Sequence, residues 1–129
     1  MDNNCPFCKA ELERDIIASS SLSVAFYDGF PVSPGHALIV PKRHVSSFFD
    51  LSKEEQQDLL NLADRVKRIV EERYHPDGYN IGINVGEAAG QSIFHVHMHL
   101  IPRYQGDGQI HVAELEALFP QNKTIEFVL

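Results

Sequence analysis

The regular pattern starts at residue 22. Leu22, Val24 and Phe26 alternate with Ser23, Ala25 and Tyr27, the period of two expected of a strand. Ala37 to Val40 is a short apolar run closed by Pro41, which suits a second strand. The segment between them, DGFPVSPG, is rich in residues that set turn geometry and reads as a loop. At Ser52 the period changes. Leu59, Leu62, Ala63, Val66, Ile69 and Val70 recur at helical spacing behind Ser52-Lys53-Glu54-Glu55, a capping-box start. A helix over roughly 52 to 74 follows, stopped by Pro76 and Gly78. Tyr79, Ile81, Ile83 and Val85 then alternate with polar or glycine positions, GEAAGQ intervenes, and Ile93 to Ile101 alternates again. This reads as a hairpin of two strands. Residues 103–111 are polar and glycine-rich, Val112 to Phe119 suits a short helix, and Thr124 to Leu129 a last strand. The expected fold class is α+β: one antiparallel sheet of about five strands with the long helix across a face.

A chain of 129 residues with 43% hydrophobic content fits a single domain over 1–129 with a proper core. No apolar run approaches the ~20 residues needed to cross a bilayer, and MDNNCPFCKAELERD lacks the basic start and apolar segment of a secretory signal. The expectation is a cytoplasmic protein without a membrane partner. A net charge of -7 argues against binding nucleic-acid backbones. Any phosphate must be met locally, by backbone N–H groups, hydroxyls, amides and histidines, so a small phosphorylated ligand in a pocket is the better fit.

Seven histidines sharpen that expectation. In FHVHMHLI, strand alternation puts His95, His97 and His99 on one face and Val96, Met98 and Leu100 on the other. Consecutive rings would sit about 6 to 7 Å apart, a row suited to lining a phosphate-sized slot. The row could also bind a metal, since His-x-His is a common zinc pairing, or be a solvated face. Cys5-Pro6-Phe7-Cys8 is either a redox pair or half of a metal site. A thioredoxin-like motif follows a strand, and only four residues precede Cys5, so zinc is the favoured reading. Two further ligands would come from imidazoles. His75 and His111 lie in turn-like segments and read as solvated. His44, in PKRH, and one member of the row are better placed.

His95-Val96-His97-Met98-His99-Leu100-Ile101 resembles the His-φ-His-φ-His-φ-φ signature of the histidine triad (HIT) superfamily. Asp28 in FYD, PGHALIVPKRH from Pro34 to His44, Asn84 in NVG, and Gly90-Gln91-Ser92 fall in the same order and spacing. The resemblance covers about residues 5 to 104. The tail 105–129 matches no pattern of the family. The resemblance implies a small α+β fold that pairs through its long helix and a sheet edge into a homodimer with a continuous sheet, and a purine nucleotide as ligand. It implies His97 as the nucleophile that attacks the α-phosphate to give a nucleotidyl-histidine, which water hydrolyses to a nucleoside monophosphate. His99 would contact the phosphate or leaving group, as general acid if protonated, and His36 would complete the catalytic cluster. Asn84, Gln91 and Ser92 would contact phosphate, with Gly90 allowing close backbone approach. Asp28 would hold the ribose hydroxyls, unless it caps the turn beside Gly29. Phe7 and Phe26 would line the base pocket, or serve equally as core aromatics. CPFC resembles a Hint-like, zinc-bearing branch, common among bacterial members, in which Cys5, Cys8, His44 and His95 close a structural Zn²⁺ site. No organic cofactor is implied.

The expected activity is therefore a nucleotide hydrolase or transferase acting on phosphoramidates, acyl-nucleotides or dinucleoside polyphosphates. Two alternatives stand beside it: a non-catalytic nucleotide-binding regulatory dimer, and a metal-dependent hydrolase that uses the histidine row as its ligands.

Overall fold

A computed structural model describes residues 4–107. The helix expected at 112–119, the strand at 124–129 and His111 lie outside the described residues. The elements run α1 (Ala10–Glu13), β1 (Ile16–Ser19), β2 (Ser23–Tyr27), β3 (Ala37–Pro41), α2 (Lys53–Tyr74), β4 (Gly78–Ile83) and β5 (Met98–Arg103). The five strands form one antiparallel sheet in the order β1-β2-β3-β5-β4.

Each face of the sheet has its own core. Ala25, Ala37, Ile39, Met98 and Leu100 point to the side where Leu59, Leu62, Val66 and Val70 of α2 pack. Val24, Phe26, Leu38 and Val40 point to the other side, where Cys5, Phe7 and Ala10 of the N-terminal segment cover them. Strand alternation thus sends odd-numbered β3 residues to the helix and even-numbered ones to the N-terminus. The second face is where the chemistry gathers, because His36 and His99 share its parity.

The helix starts where the sequence requires. Ser52 Oγ accepts from Glu55 N–H at 3.0 Å and a Glu55 carboxylate oxygen accepts from Ser52 N–H at 2.9 Å, so both halves of the capping box form. The C-terminal cap is His75, at φ 54°, rather than a glycine. Gly35, at φ +89°, leads β3 beneath the helix. A Cβ there would lie 2.9 Å from Tyr74 and 3.1 Å from Val70, so only glycine lets the chain enter His36 this close to α2.

Two elements depart from the pattern. β1 carries a register shift between Ile16 and Ala18, which erases the alternation by which a strand is read. β5 begins at Met98 rather than near Ile93. Its pairing with β3 stops at Ile39↔Met98; upstream, Val96 N–H donates to the Val45 carbonyl and the Pro41 carbonyl accepts from the His95 ring. His95 and His97 therefore sit on an irregular lead-in, not a ladder, yet alternation persists: Val96, Met98 and Leu100 share the helix-side core.

Glu55 also takes a bidentate pair from Arg43, at 2.7 and 3.0 Å. The Arg43 guanidinium, with help from the Ser52 backbone, holds its carboxyl down at about 2. A carboxyl depressed in the folded state stabilises fully above its ordinary value of 4.5, and that contribution fades as pH falls toward about 2. Urea midpoints should therefore separate wild type from Glu55→Gln most at neutral pH, and the gap should close across that acid window. A gap that stays constant with pH would contradict the assignment.

Candidate active site

Two clusters of histidines meet on the N-terminal face, and their hydrogen bonds dictate the tautomers. Val32 N–H donates to His36 Nδ1 at 3.0 Å, so Nδ1 is an acceptor and the neutral His36 proton sits on Nε2. That Nε2–H lies 3.0 Å from His99 Nδ1 and 3.5 Å from a carboxylate oxygen of Asp28. His99 Nδ1 is then the acceptor, and His99 carries its own proton on Nε2. His97 Nδ1–H donates to the His95 carbonyl at 2.8 Å, which leaves Nε2 as its lone-pair atom. The His97 and His99 rings are 5.3 Å apart. The pair thus presents one nucleophilic nitrogen and one N–H donor side by side.

Burial keeps all three neutral. It pushes His36 and His97 below their ordinary value despite nearby Asp28. His99 falls to about 3, driven first by burial and then by the neighbouring imidazoles. A protonated His99 would also set Nδ1–H against the His36 Nε2–H. The protonated form that a general acid would need is therefore disfavoured, and His99 presents a neutral Nε2–H.

The His97 and His99 rings open onto a cavity of about 350 Å³, within the size range of small-ligand sites. Asp28, Asn84, Gly90, Ser92, His97 and His99 give its polar lining, and Phe7, Arg14, Phe30, Leu38 and Ile93 contribute around the rest. Gly90 takes φ +95°, which brings the loop backbone to the wall. Phe7 packs edge-on against His97 with centroids 5.1 Å apart.

Not every residue expected at the ligand is there. Gln91 is 1% exposed and is not part of the cavity lining. Its amide donates to the Ser46 and Ile93 carbonyls and accepts from Gly86 N–H, so both donors are spent holding the loop and none is left for a phosphate. Phe26 lies fully buried beneath Phe7 and is a core aromatic. His36 sits behind His99 rather than on the cavity. Asp28 does cap its turn, accepting from Phe30 N–H at 2.9 Å, while also lining the cavity. Arg14 and Phe30, which no motif marks, line it as well.

The second cluster lies next door. Cys5 and Cys8 Sγ are 3.4 and 3.6 Å from His95 Nδ1, and Cys8 Sγ is 3.1 Å from His44 Nδ1. The four donor atoms all lie within 4.8 Å of one another. Tetrahedral zinc with ordinary bond lengths sets S···N edges of about 3.6 Å, so the set fits with little movement. His95 Nε2–H donates to the Pro41 carbonyl at 2.7 Å, the outer contact that turns Nδ1 toward a metal. Asp28, His36 and His99 also converge, but a metal on His36 Nε2 would move its proton to Nδ1, against the Val32 N–H. That triad is a hydrogen-bond relay, which argues against a metal held by Asp28, His36 and His99.

The fold is a two-layer α+β domain with a buried histidine relay at a cavity wall and a Cys₂His₂ cluster beside it. The HIT domain profile matches residues 9–106, and the chain belongs to the HIT family. It is 40% identical over 111 residues to an uncharacterised HIT-like protein of Methanocaldococcus jannaschii, spanning 82% of this chain and 84% of that one. It is 39% identical over 104 residues to the adenosine 5′-monophosphoramidase of Schizosaccharomyces pombe, spanning 78% and 74%. The bis(5′-adenosyl)-triphosphatase of Dictyostelium discoideum is 43% identical over 95 residues, 74% of this chain and 64% of that one. Among solved structures, a HIT family protein from Bacillus anthracis superposes with TM-score 0.76 at 32% identity, covering 86% and 83%. A zinc-bound histidine triad protein from Mycobacterium smegmatis superposes with TM-score 0.73 at 33% identity, covering 81% and 78%. Among the described residues no helix is long and apolar enough to cross a membrane.

Proposed function

We propose that this chain is a nucleotide hydrolase or transferase that attacks the α-phosphorus of a purine nucleotide derivative through His97 Nε2 and releases a nucleoside monophosphate. The observation that carries the reading is the tautomer chain from Val32 through His36 to His99, with His97 pinned separately by the His95 carbonyl. It supplies a neutral nucleophile next to an oriented donor without requiring a proton to move first. A non-catalytic binding dimer has no need of a lone pair held on the cavity.

In this reading Asp28 holds the ribose hydroxyls with the carboxylate oxygen left by the turn, and Asn84, Ser92 and the Gly90 backbone receive the phosphate oxygens. His99 Nε2–H stabilises the charge that builds on the phosphoryl group, His36 fixes its tautomer, and Phe7 packs the nucleophile in place. Attack forms the Nε2–P bond as the bond to the leaving group breaks; water then cleaves Nε2–P. Cys5, Cys8, His44 and His95 would hold zinc, which when bound staples the N-terminus to the sheet. The domain would span the whole chain and pair as a homodimer in the cytoplasm. The exposed Ile81 on outer strand β4 and Leu60 on α2 support that pairing.

The leaving group is open to a direct test: AMP-lysine, aminoacyl-AMP and diadenosine polyphosphates, assayed separately by chromatography. Release of AMP from at least one is expected. Micromolar AMP binding with no turnover of any would favour the regulatory dimer.

A further inference from the structure

We propose that Arg14 reads the base and makes the site prefer guanine over adenine, an inference that rests on the nucleotide reading above. Arg14 stands in the charged stretch ELERD. In the fold it is half-buried, lines the cavity, and sets its guanidinium carbon 4.6 Å from the Phe26 ring centroid and 5.5 Å from that of Phe7. Phe7 in turn touches the His97 ring. A ligand whose phosphorus sits at His97 therefore meets Phe7 along its length and reaches the guanidinium with the part farthest from the phosphate, which is the base.

Among the described residues the arginine is also unspent: no carboxylate lies in ion-pair range of it and no acceptor takes a hydrogen bond from its side chain. The aromatic rings beneath it attract its charge but accept none of its five N–H groups. A cation anchored by two rings, facing a cavity with its fork unmatched, calls for an acceptor pair on the ligand. The neighbouring lining, Phe7, Phe30, Leu38 and Ile93, supplies no competing donor or acceptor side chain. Guanine offers adjacent acceptors at O6 and N7, which a guanidinium meets bidentately. Adenine offers one acceptor at N7 and a donor at N6, which opposes it.

The test is equilibrium binding of GMP and AMP to the full chain by calorimetry, for wild type, Arg14→Leu and Arg14→Lys, with melting curves confirming that each variant is folded. GMP should bind wild type about tenfold tighter than AMP, and Arg14→Leu should bring the two within about twofold. Arg14→Lys keeps the charge without the fork and should lose most of the preference. Equal affinities in wild type, or a guanine preference that survives in Arg14→Leu, would overturn the assignment of Arg14 while leaving the nucleotide site standing. Failure of wild type to bind either nucleotide would overturn the nucleotide reading and this inference with it.

Discussion

Replacing His97 by glycine lowers turnover about a thousandfold or more while nucleoside monophosphate still binds. The expectation follows from the division of labour in the site. His97 is the one ring on the cavity wall whose free nitrogen is a lone pair: its Nδ1–H is committed to the His95 carbonyl at 2.8 Å, whereas His99 offers an N–H. Removing a nucleophile typically costs several orders of magnitude, because the remaining groups stabilise a transition state that no longer has an attacking atom. Binding should persist, since Asp28, Asn84, Ser92 and the loop backbone are untouched. His99→Ala should instead slow the reaction less steeply, by about 10², because a donor is lost and not the bond-forming atom. Single-turnover rates and AMP titrations on both variants check this, and activity of His97→Gly within about tenfold of wild type would remove His97 from the mechanism.

The second large effect is expected at the neighbouring cluster. Cys8→Ser, or prolonged chelation, should release about one zinc per chain, lower the melting temperature, and reduce kcat although no zinc ligand faces the substrate. For a metal held at a thousand times its dissociation constant, the lost stabilisation is about 4 kcal/mol. The effect on kcat has two routes. Phe7, between the two cysteines, packs against His97, and His95, whose ring belongs to the Cys₂His₂ cluster, fixes the His97 tautomer by its carbonyl. Loosening the cluster therefore loosens the nucleophile. Metal analysis separates this account from its rival: zinc should survive His97→Ala and leave with Cys8→Ser. The reverse pattern would make the histidine row the ligand set.

What could be read from the sequence depended on whether a signal was local. The helix was legible almost to the residue, because the capping box and the apolar stripe are encoded within one turn and one face of α2. Strands β2 and β3 were legible for the same reason. β1 was not, since its register shift breaks the alternation between Ile16 and Ala18. The truncated start of β5 depends on a contact 54 residues away, His95 to Pro41, and nothing near His95 announces it. The four sulfur and nitrogen donors of the Cys₂His₂ cluster could be proposed from spacing and resemblance, yet only the fold brings their atoms within 4.8 Å. The departure at the ligand has a physical cause. A sequence shows which donors a residue owns and not where they are spent: Gln91 spends its amide on its own loop, while for Phe26 the core alternative is the one the fold takes. Arg14 is the converse, a residue that no motif marks and that, among the described residues, keeps its side-chain donors unmatched beside the cavity.

The central claim, attack by His97 Nε2, is tested most directly by trapping the intermediate. The full-length protein is mixed with an adenosine or guanosine phosphoramidate, quenched in acid-free denaturant within a turnover, digested and mapped by tandem mass spectrometry. The account predicts a nucleoside monophosphate attached to His97, absent from His97→Gly. An adduct on another residue, or turnover that incorporates heavy-oxygen water into product with no adduct formed at any quench time, would contradict it.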